Sequence, residues 1–104
     1  YAPPAIYITE NGAAFDDPDP VNGVVEDPQR VDYYRQYLDA CAAAIAEGVP
    51  LKGYFAWSLM DNFEWSQGYK ERFGLHYVNY QTLERTPKLS ARFYAACIKE
   101  RKVV

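Results

Sequence analysis

Tyr54-Phe55-Ala56-Trp57-Ser58-Leu59-Met60-Asp61-Asn62-Phe63-Glu64-Trp65-Ser66-Gln67-Gly68-Tyr69-Lys70-Glu71-Arg72-Phe73-Gly74 is the stretch on which the fold turns. Its opening run, Tyr54 to Trp57, is rich in the aromatics that suit a pleated, half-buried surface and predicts a strand. The residues after Trp57 are not ordinary core. Asp61, Asn62 and Glu64 are interleaved with Trp57, Phe63, Trp65, Tyr69 and Phe73. A carboxylate among rings needs partners, because an unpaired buried polar group costs several kcal/mol. A polyhydroxylated ligand with apolar C–H faces would supply them, and the pattern points to a sugar site.

Working outward, Ile6 to Thr9 is a short β-branched and aromatic run that predicts a first strand, with Glu10-Asn11-Gly12 turning the chain out. Ala13 to Asp27 has no period but holds Pro18, Pro20, Gly23 and five acids, and reads as a surface loop with a solvated acidic rim. Asp27-Pro28 predicts a helix start, with Asp as the N-cap and Pro at the first helical position. Val31, Tyr34, Leu38, Cys41 and Ile45 form one apolar stripe, and Gly48 closes the helix with Pro50 beyond it. Leu51 to Ser58 is the second strand. Leu75 to Tyr80 alternates like a hairpin arm, and Thr86-Pro87 opens a last helix carrying Leu89, Phe93, Cys97 and Ile98.

Strand, helix, strand in this order is a βαβ unit, which implies parallel strands. Both acidic motifs, at Glu10 and at Asp61 to Glu64, come after the carboxyl end of a strand, the face where parallel β/α folds build their sites. Two parallel strands cannot close a barrel, which needs eight units in about 250 residues. The fold class is therefore α/β: two βα units, the last quarter of a TIM (β/α)8 barrel. Residues 1–104 are read as one C-terminal segment of a single domain, and the start at Tyr1 as the tail of a longer polypeptide.

The totals agree. Eleven Lys and Arg against 14 Asp and Glu give a net charge of −3, no footprint for nucleic acid, and no lipidation signal or apolar run suits a membrane. Aromatics reach 16%, with ten tyrosines, enough to stack on flat ligands. Cys41 and Cys97 read as small buried hydrophobes in a reducing, cytoplasmic setting, without metal-ligand spacing, so no metal and no cofactor are expected.

Ile8-Thr9-Glu10-Asn11-Gly12 resembles the ITENG signature of family 1 glycoside hydrolases, the β-glucosidases and their relatives. Gly53 to Gly74 is similar to that family's GYFxWSLxDNFEWxxGYxxRFGL, and Arg85 to Ala91 to its RTPKxSA. The likeness covers essentially the whole chain in family order. It implies that Glu10 is the catalytic nucleophile that forms a covalent glycosyl-enzyme. It implies that Glu64 accepts hydrogen bonds from two glycone hydroxyls, that Trp65 donates its indole N–H to another, and that Trp57 is the floor beneath the ring. Phe73 matches the ring that limits space near the exocyclic CH₂OH. The implied substrate is a β-glucoside or short β-linked oligosaccharide with a terminal glucosyl, galactosyl or fucosyl residue.

A retaining glycosidase needs a second carboxyl group, protonated, about 5–5.5 Å from the nucleophile. The family's Asn-Glu-Pro tripeptide that supplies it is absent here. The remaining N-terminal barrel, as a second chain or an unbroken polypeptide, is therefore the expected partner, and the isolated segment is expected to be inactive. Tyr37 and Asn79 depart from a frequent His and Asp of the family, outside the site. Glu71 and Glu64 stand where the 6-phospho-glycosidase branch has Lys and a small hydroxyl residue, which implies a non-phosphorylated sugar. Two rivals stay open: a carbohydrate-binding barrel relative without catalysis, and an excised fragment that self-associates through its open strand edges. Asp61, Asn62 and Arg72 are read as structural, Tyr54, Phe55, Tyr69 and Tyr77 as packing, and His76 as a satisfied or surface residue.

Overall fold

A computed structural model describes residues 2–104. The order is β1 (Ile6–Asn11), α1 (Pro28–Ala46), β2 (Leu51–Ala56), a single 3-10 turn (Trp65–Gln67), β3 (His76–Val78), β4 (Arg85–Pro87) and α2 (Leu89–Glu100). β1 and β2 pair in parallel, as the βαβ reading requires, while β3 and β4 form a separate antiparallel hairpin. No helix of the described residues is long and apolar enough to cross a membrane.

The core lies between the two helices and one face of β2. Tyr34, Leu75, Phe93 and Cys97 are buried, and Val31, Leu38, Tyr54, Ala56 and Tyr94 pack around them. Only part of the α1 stripe is used: Cys41 is half-buried and Ile45 is exposed. The opposite face of the sheet is uncovered. Tyr7 and Phe55 are both more than half exposed, and Tyr7 lies over Gly53, where an added Cβ would come within 2.6 Å of its ring. Phe55 therefore does not pack as expected, whereas Tyr54 and Tyr77 do, and Tyr69, though exposed, lies against the Phe63 and Tyr80 rings.

Helix α1 ends as the sequence predicts. Gly48 adopts φ +96°, its N–H donates to Ile45 O, and the Val49 N–H reaches back to Ala44 O, the paired bonds that satisfy a helix's last carbonyls. Three expectations fail, each for a tertiary reason. Asp27 precedes α1 but does not cap it. Its carboxylate instead accepts from Ser90 N (2.9 Å) and Ser90 Oγ, and so caps α2 from a distance. Thr86 and Pro87 lie in β4, and α2 begins only at Leu89; Pro87 can sit there because β4 is an edge strand. The loop before α1 is not simply a solvated rim. Asp17 and Asp27 are buried against Arg30, at 2.9 and 2.7 Å, and Lys88 holds Asp17 at 2.6 Å. Burial opposes the charge on Arg30, but the two carboxylates outweigh it and hold its pKa above the ordinary value.

Tyr34 and Tyr54 sit where this core meets the strand ends, and burial pushes both hydroxyls well above the usual tyrosine range. A raised pKa in the folded state leaves stability intact below the unfolded value of about 10 and removes it as pH rises beyond. Urea unfolding of the polypeptide should therefore become easier as pH rises through about 10. Tyr54→Phe should flatten that alkaline slope; an unchanged slope would exclude the buried hydroxyl as its source.

Candidate active site

The sheet delivers Glu10 by a register device. Ile8 pairs with Tyr54 and Asn11 pairs with Ala56, so Thr9 and Glu10 together oppose the single residue Phe55. Such a bulge re-aims the side chains beyond it. Strict alternation would put Glu10 on the face of Ile8 and Tyr54, toward the helices. With the extra residue, Asn11 takes the helix side, where its Oδ1 accepts from Tyr54 OH at 2.6 Å, and Glu10 falls on the open face with Phe55. Glu10 is exposed and joins none of the ion pairs found among the described residues.

The two strand ends are then fastened to each other. The Trp57 N–H donates to Asn11 O at 2.7 Å. The buried Tyr34 hydroxyl lies 3.3 Å from Asn11 O and 3.0 Å from Trp57 O, and Tyr33 OH donates to Gly12 O at 3.1 Å. Gly12 is required for space: a Cβ there would stand 1.8 Å from Trp57 O. The Trp57–Ser58 peptide is cis.

Beyond Ser58 the loop returns to its own base. Ser58 N donates to Phe73 O, Leu75 N to Ser58 O, and Asp61 N to His76 O, at 2.8–3.1 Å. Asp61 is structural, as expected, and all its acceptor positions are used: Gly74 N, Val78 N, Lys88 Nζ and Arg72 Nη1 converge on it. Arg72 also lies over the Tyr77 and Tyr80 rings, at 4.0 and 4.7 Å. His76 is satisfied through a 2.8 Å contact between Nδ1 and Leu59 O.

Of the five residues singled out by sequence, the structure brings two into direct contact. Trp57 Nε1 donates to Glu64 Oε1 at 2.9 Å, so the indole orients the carboxylate. Phe73 is half-buried and tied through its carbonyl to Ser58. Trp65 is not drawn in: it is 87% exposed, with φ +43°. Glu10 stands at the carboxyl end of β1 and Glu64 in the loop after β2, and neither lines the clefts around Leu38, Pro18 or Phe55. Sequence reasoning missed Tyr34 as the clamp on both strand ends, and missed Asp17, Arg30 and Lys88 as supports. The Asp27 and Arg30 pair at i, i+3 was the one local sign of the latter.

An exposed carboxylate stands near the end of β1, and a second one, oriented by an indole, lies in the loop after β2. The sequence model described as Glycosyl hydrolase family 1 matches residues 1–103, and the chain belongs to that family. It is 54% identical over 99 residues to Beta-glucosidase A of Thermotoga maritima, covering 95% of this chain and 22% of the relative. It is 53% identical over 96 residues to a beta-glucosidase of Agrobacterium sp., covering 92% and 21%. A solved structure of the family 1 β-glucosidase from T. maritima in complex with isofagomine lactam superposes with a TM-score of 0.95 at 51% identity, covering 98% of this chain and 23% of that one. Its complexes with castanospermine and deoxynojirimycin agree equally well. The chain thus spans between a fifth and a quarter of the length of these relatives.

Gly12→Ala should cost about 1–3 kcal/mol of stability, the range for overpacking, because the obstructing atom is backbone and cannot rotate away. It should also part Asn11 O from Trp57 N, read as a change in tryptophan emission. An alanine variant of parental stability and spectrum would contradict the close approach.

Proposed function

We propose that this chain is the last quarter of a (β/α)8 barrel, and that it carries the nucleophile and much of the glycone site of a retaining β-glucosidase. Glu10 attacks the anomeric carbon and forms the glycosyl-enzyme as the leaving oxygen is protonated. Water then attacks the same carbon and releases the sugar with its configuration retained. The proton donor comes from the remaining barrel, since no second carboxyl stands beside Glu10 in the motif pattern of this segment. Glu64 accepts hydrogen bonds from glycone hydroxyls, Trp57 both floors the sugar and orients Glu64, Trp65 donates to a further hydroxyl, and Phe73 bounds the exocyclic group.

The observation that carries this reading is the bulge that turns Glu10 onto the open face, while the Trp57 indole anchors Glu64 at the neighbouring strand end. Relatives named Beta-glucosidase and 1,4-beta-D-glucan glucohydrolase support a substrate with a terminal β-linked glucosyl residue. The negative charges of Glu64 and Glu71 disfavour a phosphorylated sugar. The free thiols of Cys41 and Cys97 support a reducing, cytoplasmic setting.

In a polypeptide joining this segment to the rest of the barrel, Glu10→Gln should lower turnover of an aryl β-glucoside by orders of magnitude while sugar binding persists. Glu10→Gly with added azide should recover turnover and release an α-configured glycosyl azide, because the small anion attacks the anomeric carbon from the face the carboxylate has left. A fully active Glu10→Gln variant would remove Glu10 from the mechanism. Residues 1–104 alone should not hydrolyse the same substrate, and measurable turnover by them would overturn the external proton donor.

A further inference from the structure

Beneath the two strand ends lies a continuous chain of buried charges. Ser90 and Arg30 both bond Asp27, Arg30 bonds Asp17, Lys88 joins Asp17 to Asp61, and Arg72 closes on Asp61. Three carboxylates, Asp17, Asp27 and Asp61, meet three cations, Arg30, Lys88 and Arg72, so the set is neutral. The side chains of Lys88, Asp17, Asp61, Asp27 and Arg30 are each at most 1% exposed. Within it Lys88 has a singular place. Its ammonium is 2.6 Å from Asp17, in the loop after β1, and 2.8 Å from Asp61, in the loop after β2. Among the described residues it is the only side chain that bonds a carboxylate of each loop.

Asp61 lies three residues before Glu64, and through Gly74 N and Val78 N it also pins the far end of the same loop. Arg30 Nη2 and Phe15 N also reach Arg72 O across the two loops, and Asp61 with Lys88 adds the one buried ionic link between the loop of Glu64 and the loop that leaves Glu10. We infer that Lys88 is a positioning residue of the glycone site, holding the loop of Glu64 at a fixed offset from the strand end of Glu10. It touches no substrate. A lysine suits the task because its compact ammonium carries three donors that can reach two carboxylates from different directions. This inference rests on the reading of Glu64 as a glycone-binding carboxylate.

Lys88→Met alone leaves Asp17 and Asp61 as buried carboxylates lacking a shared cation, and it can fail to fold. The decisive variant is therefore Lys88→Met with Asp17→Asn, which restores neutrality with Arg30 against Asp27 and Arg72 against Asp61. In the full polypeptide this pair should keep the parental unfolding midpoint to within a few degrees, while kcat/KM for an aryl β-glucoside falls ten- to a hundredfold. Glu64→Gln should then cost at least fivefold less in that background than in the parent, because the carboxylate is already misplaced. Parental kcat/KM in the double variant, or an equal penalty for Glu64→Gln in both backgrounds, would overturn the role. So would recovery of full activity whenever stability alone is restored. If Glu10→Gln in the parent is active, the glycosidase reading fails; if it is dead and the double variant is silent, only the positioning role fails.

Discussion

The shared ammonium of Lys88 joins carboxylates of two loops in the middle of a largely buried network of six charges. A buried cation between two carboxylates gains little net stability over an apolar replacement, because desolvation consumes most of the Coulomb attraction. Such a network disfavours packings that would strand one of its charges. Asp27 shows the same logic. By bonding Ser90 at the start of α2 rather than its own helix, it makes the two helices depend on one carboxylate.

Above that layer the hydroxyl of Tyr34 does for neutral groups what Lys88 does for charged ones. One buried phenol sits within reach of the carbonyls of Asn11 and Trp57, at the very ends of the two strands. Gly12 lets the chains approach closely enough for Trp57 N to bond Asn11 O. The proposed nucleophile and the indole that orients Glu64 therefore emerge from one fused edge. Membership of glycosyl hydrolase family 1 is the ground on which that edge is proposed as a site.

Much of the scaffold was legible because its signals are local. Pro28 and Gly48 bracket α1, β-branched and aromatic runs mark β1 and β2, and the alternation after Gly74 marks β3. The proposed site residues stood out because rings and carboxylates are interleaved where core should be. What stayed hidden was set by partners remote in sequence. Lys88 and Asp17 are 71 positions apart, so no spacing rule connects them, and an acidic loop looked solvated. Pro87 was misplaced because a proline before an apolar run fits a helix start as well as an edge strand. The bulge at Thr9 and Glu10 was invisible too, since a two-residue period read from sequence assumes the regularity that the sheet abandons.

That irregularity is compensated within the same ribbon. Near the base of the pair, Ile6 faces Leu51 and Tyr7 faces Gly53, so β2 spends one residue more than β1; near the top, β1 spends it back. The two slips cancel, and both strands span six residues. A ribbon that loses and regains step in this way separates aim from anchorage. Which way its upper rim points can change by a single inserted or deleted residue, while the lower half keeps its grip on the helices, leaving the reactive rim free to vary over an unaltered foundation.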